Sequence, residues 1–427
     1  MVILFMFIGL LFLVLINVPI AIALGVVTTI AMYATQGAEI LPNLALVMMD
    51  GATNFPLIAI PLFILAGAIM NASGISRRLI AFASALLGFI KGGLSMVTIG
   101  ASMFFAEISG SAVADVAALG SILIPAMKKK GYPAPFATAV TSSSATLAVI
   151  IPPSIPMILY AVMSQSSVVQ LFVAGIIPGI LGGFGMMGLS YWFARRHNYP
   201  VEEVFRLSRL WVTFKEALLA FTLPVIILGG IFGGFVTATE GAGLAVMASL
   251  VIGLVYRELD LKHLKEAMIE GGVQTAVVML LVAASVLVSH FLTEEKVPQT
   301  IAESIISFTQ NKYVVLGLLN VFFLVVGLFL HSAAAIILVV PIVMPLIHLV
   351  GIDPVHFGLI VTLNLGIGQQ TPPVASVLVT ACSIGKADIW EVSKVNIYFI
   401  GVLFAVLMLV TYVPAIPMFL VELFYRS

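Results

Sequence analysis

Apolar residues fill most of this chain in long runs that short polar segments separate. Several runs approach the roughly 20 residues that a helix needs to cross a bilayer. Charged residues make up only 9% of the chain, whereas soluble domains carry about 25%. The pattern therefore predicts an all-α, polytopic membrane protein.

One apolar run, Thr141–Pro156, is interrupted by the adjacent prolines Pro152 and Pro153. Proline removes a backbone donor and clashes with the preceding turn, so a regular helix cannot continue through the pair. The apolar run resumes from Met157. We interpret the segment as a broken membrane helix, whose unpaired backbone groups must be satisfied by protein, water or a bound ion.

A second copy of this pattern, Val361–Ser376, follows in the later half of the chain. Equivalent positions of the two copies are separated by one constant spacing, which we call the repeat offset. Several matches at a single offset indicate an internal repeat. Four pairs share it: Pro152 with Pro372, Pro153 with Pro373, Pro125 with Pro345, and Gly131 with Gly351.

A different interruption divides the apolar segment Leu94–Met127, where Glu107-Ile-Ser-Gly-Ser111 lies in the middle. Each half has about 15 residues, which is short for a bilayer crossing. We predict a re-entrant hairpin that enters and leaves on one face, with two short tilted spans as the alternative. A second hairpin, Val314–Val350, has its predicted tip near Phe329–Ser332.

The repeat suggests a division into two inverted halves. For Val2–Ile16 and Ile20–Tyr33 we prefer two spans to one kinked helix. We expect interfacial segments, separate from the spans after them, at Leu41–Asp50 and Leu261–Glu270. The first half, 1–200, comprises scaffold spans 1–71 and 168–194, an arm 79–91, a hairpin 94–127 and a broken helix 133–163. A surface linker follows at 201–217. The second half, 218–427, comprises scaffold spans 218–292 and 397–424, an arm 299–312, a hairpin 314–350 and a broken helix 357–384.

Basic residues orient the predicted spans. When the spans alternate, all of the 19 Lys and Arg fall on one side except Lys296, Lys312 and Arg426. The richer side is the cytoplasm by the positive-inside rule. The first hairpin then opens to the cytoplasm and the second to the outside. Inverted repeats with broken helices are typical of secondary transporters.

The remaining composition excludes little else. Lys and Arg balance Asp and Glu at 19 each, which gives no bulk affinity for nucleic acid. Cys382 is the single cysteine, so an intrachain disulfide cannot form. The first apolar run, from Val2, lacks the basic segment and cleavage site of a signal peptide, and we interpret it as a retained span.

Three motifs carry a resemblance to a known family: Ala106-Glu-Ile-Ser-Gly-Ser-Ala-Val-Ala-Asp115, Ser121-Ile-Leu-Ile-Pro-Ala-Met127 and Ile150-Ile-Pro-Pro-Ser-Ile-Pro-Met157. The sequence resembles, over essentially its whole length, the large membrane subunit of TRAP transporters, which are tripartite secondary transporters. Phe104–Ser111 and Ala139–Ala145 look closest to the sialic-acid branch.

The resemblance implies sodium-coupled import of a small organic carboxylate, N-acetylneuraminate in that branch, across the bacterial inner membrane. It implies two protein partners, a small four-helix membrane subunit and a periplasmic substrate-binding protein. It also implies an elevator mechanism in which the hairpins and broken helices move. Sodium would be the coupling ion, and no organic cofactor is expected.

Sodium prefers oxygen ligands, as other hard cations do, and a hairpin tip facing a helix break offers hydroxyls and carbonyls. Alternatively, these hydroxyls bond only their own helix backbone. The resemblance and the repeat imply two sites: Ser109, Ser111, Ala148, Ile150 and Pro153 for the first, and His331, Ser332, Gly366, Gly368 and Thr371 for the second.

The helix halves after the breaks present N-termini, whose positive dipole ends suit an anionic group. We therefore predict Ser154 and Ser376 as substrate contacts, and Asn364 and Thr371 as hydrogen-bonding partners of a polar substrate body.

Several ionisable residues have open roles. Glu107 and Asp115 lie at predicted membrane depth and could couple transport or form structural pairs. His331 and His290 could relay protons or simply be packed and hydrogen-bonded.

Three other functions stay open at this point. A stand-alone sodium–carboxylate symporter would need no binding protein. An intramembrane enzyme lacks support, because the sequence has neither a His-Glu-x-x-His motif nor a metal-ligating Cys/His cluster. A channel or structural subunit would not need inverted broken helices.

Overall fold

A computed structural model describes residues 2–16, 18–202, 204–372 and 374–425. Within these ranges the side chains of Leu4, Leu11, Leu15, Glu107, Ile108 and Ser109 are left undescribed. The described chain is helical apart from loops and one isolated β-bridge between Lys91 and Val201. Of its helices, eight are long and apolar enough to cross a membrane. The predicted all-α, polytopic architecture is thereby confirmed.

The first half contains ten helices in the described chain, and the order of the second half resembles it. The first ten are α1 Val2–Leu15, α2 Ile20–Gln36, α3 Leu41–Ala52, α4 Ala59–Ala72, α5 Ile75–Leu87, α6 Gly93–Ser109, α7 Ala112–Lys129, α8 Ala134–Ala145, α9 Ile155–Ser164 and α10 Val168–Arg196. The others are α11 Leu207–Phe232, α12 Ala238–Val255, α13 Leu261–Glu294, α14 Val297–Phe308, α15 Lys312–Phe329, α16 Ser332–Leu349, α17 Pro354–Gly368, α18 Ser376–Gly385, α19 Ile389–Tyr412 and α20 Ala415–Tyr425.

The internal repeat is visible in the helix boundaries. The repeat offset that joins Pro152 to Pro372 also relates the first residue of α7 to that of α16, and the first residue of α8 to that of α17. The starts of α3 and α13 are related in the same way. The sequence repeat therefore corresponds to a repeat of structural elements.

Both predicted hairpins are present. Helices α6 and α7 pack side by side and join at Gly110, whose φ of 56° lies in the left-handed region that favours glycine. Helices α15 and α16 join through Leu330 and His331. Only Gly110 and Ser111 connect α6 to α7, which is the tight tip that the hairpin prediction requires.

Both predicted broken helices are also present. Helix α8 ends at Ala145 and continues as a 3₁₀ turn over Thr146–Val149; the chain is then non-helical until Ser154 caps α9. In the second half, α17 ends at Gly368, and α18 begins at Ser376. The Pro152 and Pro153 nitrogens carry no hydrogen, so helical bonding cannot cross the first break. Pro373 lies outside the described residues.

Three predicted boundaries are wrong. The segment Leu261–Glu270 is not a separate interfacial element, because α13 runs unbroken to Glu294. The two halves differ here because of a proline. In the first half, Pro56 lies in a 3₁₀ turn that separates α3 from α4, whereas α13 contains no proline and continues as one helix. The linker 201–217 is also shorter than predicted, because α11 already begins at Leu207.

The third boundary concerns the last span, predicted at 397–424. Two helices occupy this region: α19 begins earlier, at Ile389, and the chain is interrupted at Val413 and Pro414 before α20. Pro414 lacks the amide hydrogen that would continue the bonding of α19, although internal prolines such as Pro178 of α10 are accommodated elsewhere without a break. The arms, predicted at 79–91 and 299–312, both begin earlier than expected, because α5 begins at Ile75 and α14 at Val297.

Packing divides the helices differently from the sequence prediction. Helix α4 packs on α12 and α13, and α13 packs on α2 and α3; we call α1–α4 and α11–α13 the scaffold body. Helix α10 packs on α6, α9, α17 and α19, and α19 packs on α8 and α17. The spans 168–194 and 397–424, assigned to the scaffold from sequence, therefore belong with the hairpins and broken helices. We call this second group, α6–α10 and α15–α20, the hairpin body.

The contact of α10 with the first break depends on Gly175. A Cβ atom added there would collide with the carbonyl oxygen of Ile150 and lie 2.8 Å from Met157 Cε. Backbone atoms cannot move aside as a flexible side chain can. Glycine at this position therefore lets α10 cover the break.

We expect Gly175→Ala to reduce the free energy of unfolding by about 1–3 kcal/mol, as overpacking does in a filled core. Gly188→Ala is the matched control on the same helix, because a Cβ added at Gly188 meets nothing within 4 Å. Thermal unfolding in detergent measures both variants. Equal stability of the two would contradict the close packing of α10 on the break.

Candidate functional site

A cavity of about 760 Å³ lies between the two bodies. Its hairpin-body wall contains the tips of both hairpins, including Ser111 and His331. Its scaffold wall is formed by α4 and α13, including Asn71 and Gln274. The fold therefore brings two tips, one from each half of the sequence, to one site.

The cavity opens towards the end of the molecule that is rich in basic residues. On α4 its wall spans Ile64 to Asn71, the half of the helix that leads to Arg77 and Arg78. On α13 it spans Glu270 to Val278, in the half that follows Lys262 and Lys265. By the positive-inside rule, this is the cytoplasmic end. Under that orientation the cavity lies in the cytoplasmic half of α4 and α13.

Three helix N-termini meet the cavity. Ser111 caps α7, and its hydroxyl accepts a hydrogen bond from the Ala114 amide at 3.5 Å. His331 occupies the corresponding position before α16 and is exposed to the cavity. The start of α9, at Ile155, also lines the wall. The first amides of a helix have no intrahelical partners and carry partial positive charge, so the starts of α7 and α16 suit an anion. The first amides of α9 are already used, because Ile155 donates to the Gly110 carbonyl, Pro156 has no amide hydrogen and Met157 donates to Ser154 Oγ.

The other polar wall residues are mostly uncharged. Asn71 Oδ1 accepts a hydrogen bond from Ser76 Oγ at 2.7 Å, and Gln274 Nε2 donates to Glu270 Oε1 at 3.3 Å. No Lys or Arg is present among the described residues of the wall. Glu270 adds a carboxylate to the described wall, so any attraction for an anion must come from helix termini, His331 and neutral donors.

The first predicted sodium site is partly assembled. The tip and the break touch, because the Ile155 amide donates to the Gly110 carbonyl at 3.3 Å and the Pro153 carbonyl lies against Gly110. Ser111 is at the cavity edge, and Ala148 is fully buried behind it. The Ile150 carbonyl instead faces Gly175 of α10. The Ser109 side chain lies outside the described residues, so sodium binding here stays a prediction.

The second predicted site is brought together less completely. A Cβ added to Gly368 would lie 2.5 Å from the backbone of Gly327, so hairpin and break are in contact here too. Gly366, however, faces Thr146 of the first broken helix. The Thr371 hydroxyl donates to its own helix, to the Ile367 carbonyl at 3.1 Å.

His331 and Ser332 complete the second predicted set. The two residues lie at the hairpin tip that borders the cavity, where His331 is exposed and Ser332 is buried. A histidine nitrogen is a poorer ligand than oxygen for a hard cation. This sodium site also stays a prediction.

Two predicted substrate residues lie away from the cavity wall. Ser154 is fully buried and its hydroxyl donates to the Val149 carbonyl at 2.7 Å while it caps α9. Asn364 is buried too, and its Nδ2 donates to Asn320 Oδ1 at 2.6 Å. This arrangement does not favour either side chain as a substrate contact.

The other two predicted contacts, Thr371 and Ser376, are half-buried in the second break. Ser376 Oγ lies 3.5 Å from Gln369 Oε1. Gln369 lines the cavity, whereas Thr371 and Ser376 do not. The predicted contacts thus stand behind the wall and not on it.

Sequence reasoning missed a buried polar cluster between the two breaks. It joins Ser142, Ser143 and Thr146 of the first half to Gln370 and Asn396 of the second. One signal was available: at the repeat offset, Gln370 corresponds to the apolar Ile150. The scaffold residues Asn71 and Gln274 were also missed, because their place in the cavity depends on tertiary packing.

The ionisable candidates separate into surface and buried groups. His290 Nε2 pairs with Glu294 at 3.3 Å on an exposed part of α13. Asp115 is fully buried in the first turn of α7. The Glu107 side chain lies outside the described residues. In the described part of the chain, no three His, Cys, Asp or Glu side chains cluster as metal ligands would.

The family model for the DctM component of tripartite ATP-independent periplasmic transporters matches residues 7–416. The chain belongs to the DctM family. This protein is therefore a multi-pass membrane subunit of a bacterial inner-membrane transporter and not an enzyme. The resemblance of the sequence to TRAP large subunits is confirmed.

Named relatives transport different compounds. The chain is 42% identical to the isethionate TRAP transporter permease DctMQ of Oleidesulfovibrio alaskensis, covering 95% of this chain and 64% of that protein, and so spans less than two thirds of that relative. It is 37% identical to the C4-dicarboxylate permease DctM of Pseudomonas aeruginosa and 37% identical to the sialic acid permease SiaM of Vibrio cholerae, each over 88% of both chains. These similarities do not single out the sialic-acid branch.

One solved structure shows the same fold. The YdaH transporter of Alcanivorax borkumensis superposes with a TM-score of 0.62, covering 88% of each chain at 16% identity. At this identity the match concerns architecture alone.

The side on which the DctM-family cavity opens can be tested by thiol labelling. In a Cys382→Ser background, we expect Ala117→Cys, on the exposed cavity face of α7, to react with a membrane-impermeant maleimide in inside-out vesicles only. Thr300→Cys on the exposed arm α14 is the control and should react in right-side-out vesicles only. The reverse result for Ala117→Cys would contradict an inward-facing cavity.

Proposed function

We propose that this DctM-family chain imports a small organic anion across the bacterial inner membrane, coupled to sodium, by binding it between the two hairpin tips. The observation that carries the proposal is the meeting of the N-termini of α7 and α16, one from each hairpin tip, at one cavity. Each N-terminus contributes about 0.3–1 kcal/mol to binding of a negative charge at an exposed site. The two together supply attraction without a fixed cation.

The cavity supports a substrate class and not a single compound. Its volume of about 760 Å³ falls within the roughly 300–1,000 Å³ of small-molecule sites. The relatives are named for isethionate, C4-dicarboxylate and sialic acid. All three are organic acids with a small oxyanion group, which fits helix amides. Sialic acid, which the amino-acid sequence of Phe104–Ser111 suggested, is one candidate among these.

Sodium coupling is proposed from the chemistry of the breaks. Each break leaves carbonyl oxygens beside a hairpin tip, and a hard cation is held by such oxygens without a carboxylate. Ser111 lies at one of these contacts, and the Gly327–Gly368 contact forms the other. An ion between tip and break would fix the tip amides that face the substrate. Substrate binding would then depend on sodium.

Two partners complete the proposed transporter, a small four-helix membrane subunit and a periplasmic substrate-binding protein. The scaffold body offers lipid-level surface for the first, with exposed apolar side chains such as Phe12, Ile30, Leu46 and Met49. The longer isethionate relative contains sequence beyond the part that this chain covers. The lipid bilayer covers the remaining apolar surface.

Uptake into proteoliposomes tests the proposal. With the small subunit and binding protein present, we expect an inward sodium gradient to drive uptake of at least one labelled substrate among isethionate, succinate and N-acetylneuraminate. Replacing sodium by choline should reduce uptake to background. Equal uptake in choline would refute sodium coupling, and equal uptake without the binding protein would favour a stand-alone symporter.

We further propose an elevator movement of the hairpin body against the scaffold body. In the described conformation α16 packs on α13 and α7 faces the open cavity. A sodium ion held between tip and break would tie those elements together, so they would move as one unit. The grouping of α10 and α19 with the hairpins enlarges this unit.

A disulfide between α13 and α16 should hold the hairpin body in place. In a Cys382→Ser background, we expect oxidation of such a cysteine pair to abolish uptake and reduction to restore it. The control is a pair between α15 and α17, which pack within the hairpin body. Transport that survives several complete α13–α16 crosslinks would replace the elevator with a local gating motion.

A further inference from the structure

Gln370 lies in the second helix break, but its side chain leaves that half of the protein. It is fully buried and reaches the end of α8 in the first half. The residue at the repeat position in the first break, Ile150, has no polar side chain to return the contact. Of these two equivalent positions, only the one in the second break therefore supplies a polar side chain that connects the breaks.

The Gln370 amide fills all of its hydrogen-bonding positions. Its Nε2 donates to the Ser142 carbonyl at 2.7 Å and to Thr146 Oγ1 at 2.6 Å. Its Oε1 accepts from Ser142 Oγ at 2.6 Å and from Asn396 Nδ2 at 3.3 Å. A primary amide offers two donor hydrogens and two acceptor lone pairs, so no capacity remains.

The contact with the Ser142 carbonyl has a local cause. At the end of α8 the helix tightens to 3₁₀ geometry, and the Thr146 amide donates to Ser143 instead of Ser142. The Ser142 carbonyl thereby loses its regular backbone partner and keeps a long hydrogen bond of 3.5 Å from the Thr146 hydroxyl. A buried carbonyl that lacks a good partner costs up to about 1–3 kcal/mol. Gln370 supplies a second and shorter donor at 2.7 Å, which stabilises the tightened turn that leads into the first break.

Asn396 of α19 extends the same cluster. Its Nδ2 also donates to the Gln370 backbone carbonyl at 3.3 Å, and its Oδ1 accepts from Ser143 Oγ. The second break, the first broken helix and α19 are thus joined through one amide side chain. A displacement of the second break must disturb the turn before the first.

We infer that Gln370 is a positioning residue that couples the two helix breaks, so that occupation of one proposed sodium site favours occupation of the other. This inference rests on the proposed sodium-coupled function. Gln370 need not touch either ion, since it acts through the carbonyl and hydroxyl groups that it fixes. Coupling between sites of this kind typically changes affinity by about 5–150-fold.

Gln370→Leu removes all four hydrogen bonds at similar volume. In the complete transporter, we expect the Hill coefficient for sodium to fall to about one and the half-saturating sodium concentration to rise roughly tenfold. Thr146→Val, which removes one acceptor and keeps the shape, should give a smaller shift in the same direction. It also keeps the test valid if Gln370→Leu fails to fold.

Ser102→Ala is the matched control. It removes a buried 2.9 Å hydrogen bond between Ser102 and Ser144 within the first half, without touching the cluster at Gln370. Its sodium dependence should match that of the original protein, whereas its thermal stability should fall. If the Hill coefficient for sodium also falls to about one in this control, the effect comes from general destabilisation and the inference is overturned.

The outcomes separate this inference from the proposed function. If the original protein shows no sodium dependence, both are refuted. If its uptake depends cooperatively on sodium and both cluster variants keep the original Hill coefficient and half-saturating concentration, only the coupling through Gln370 is refuted. A sodium-dependent but non-cooperative original protein also refutes the coupling alone.

Discussion

A helix that breaks inside a membrane exposes backbone groups that lipid cannot satisfy, and the rest of this structure depends on that constraint. Protein groups satisfy part of the first break: the Ser154 hydroxyl donates to the Val149 carbonyl, Gln370 donates to the Ser142 carbonyl, and the Gly110 carbonyl accepts from Ile155. The hairpin tip is held against the break because it supplies one of these partners. The cavity lies where the two tips reach the scaffold, so its position also follows from the breaks.

The breaks and hairpins could be predicted from sequence because their causes are local. A proline lacks its amide hydrogen in any surroundings, and the constant offset that relates Pro152 to Pro372 is visible without coordinates. The assignment of α10 and α19 failed because a long apolar helix looks the same whichever body it packs against. The role of Gln370 could not be predicted, since its partners lie 224 and 228 residues away.

The cavity would attract an anion by other means than a site that contains arginine or lysine. No cationic side chain of either type lines the described wall, whereas the N-termini of α7 and α16 do. A guanidinium would bind a carboxylate strongly in every conformation. Helix termini are weaker and depend on the position of the helix. Under the proposed sodium coupling, an anion held by them would be released when the hairpin tips lose their ions, which a transporter requires and a storage site does not.

The arm α5 indicates where the proposed movement would bend the chain. Its first turn is fixed to the scaffold by Arg77 and Arg78, which both pair with Glu258 at 2.7 Å, and Arg78 also stacks on Tyr256. Exposed ion pairs contribute only about 0–1 kcal/mol each, but the partly buried Arg78 adds packing to its charge. The other end of the arm leads into the hairpin body through Gly92, whose φ of 75° suits glycine. We propose Gly92 as the bend of this movement. Its amide donates to the Pro200 carbonyl at 3.1 Å, so bending there would break a hydrogen bond between the arm and the end of the first half.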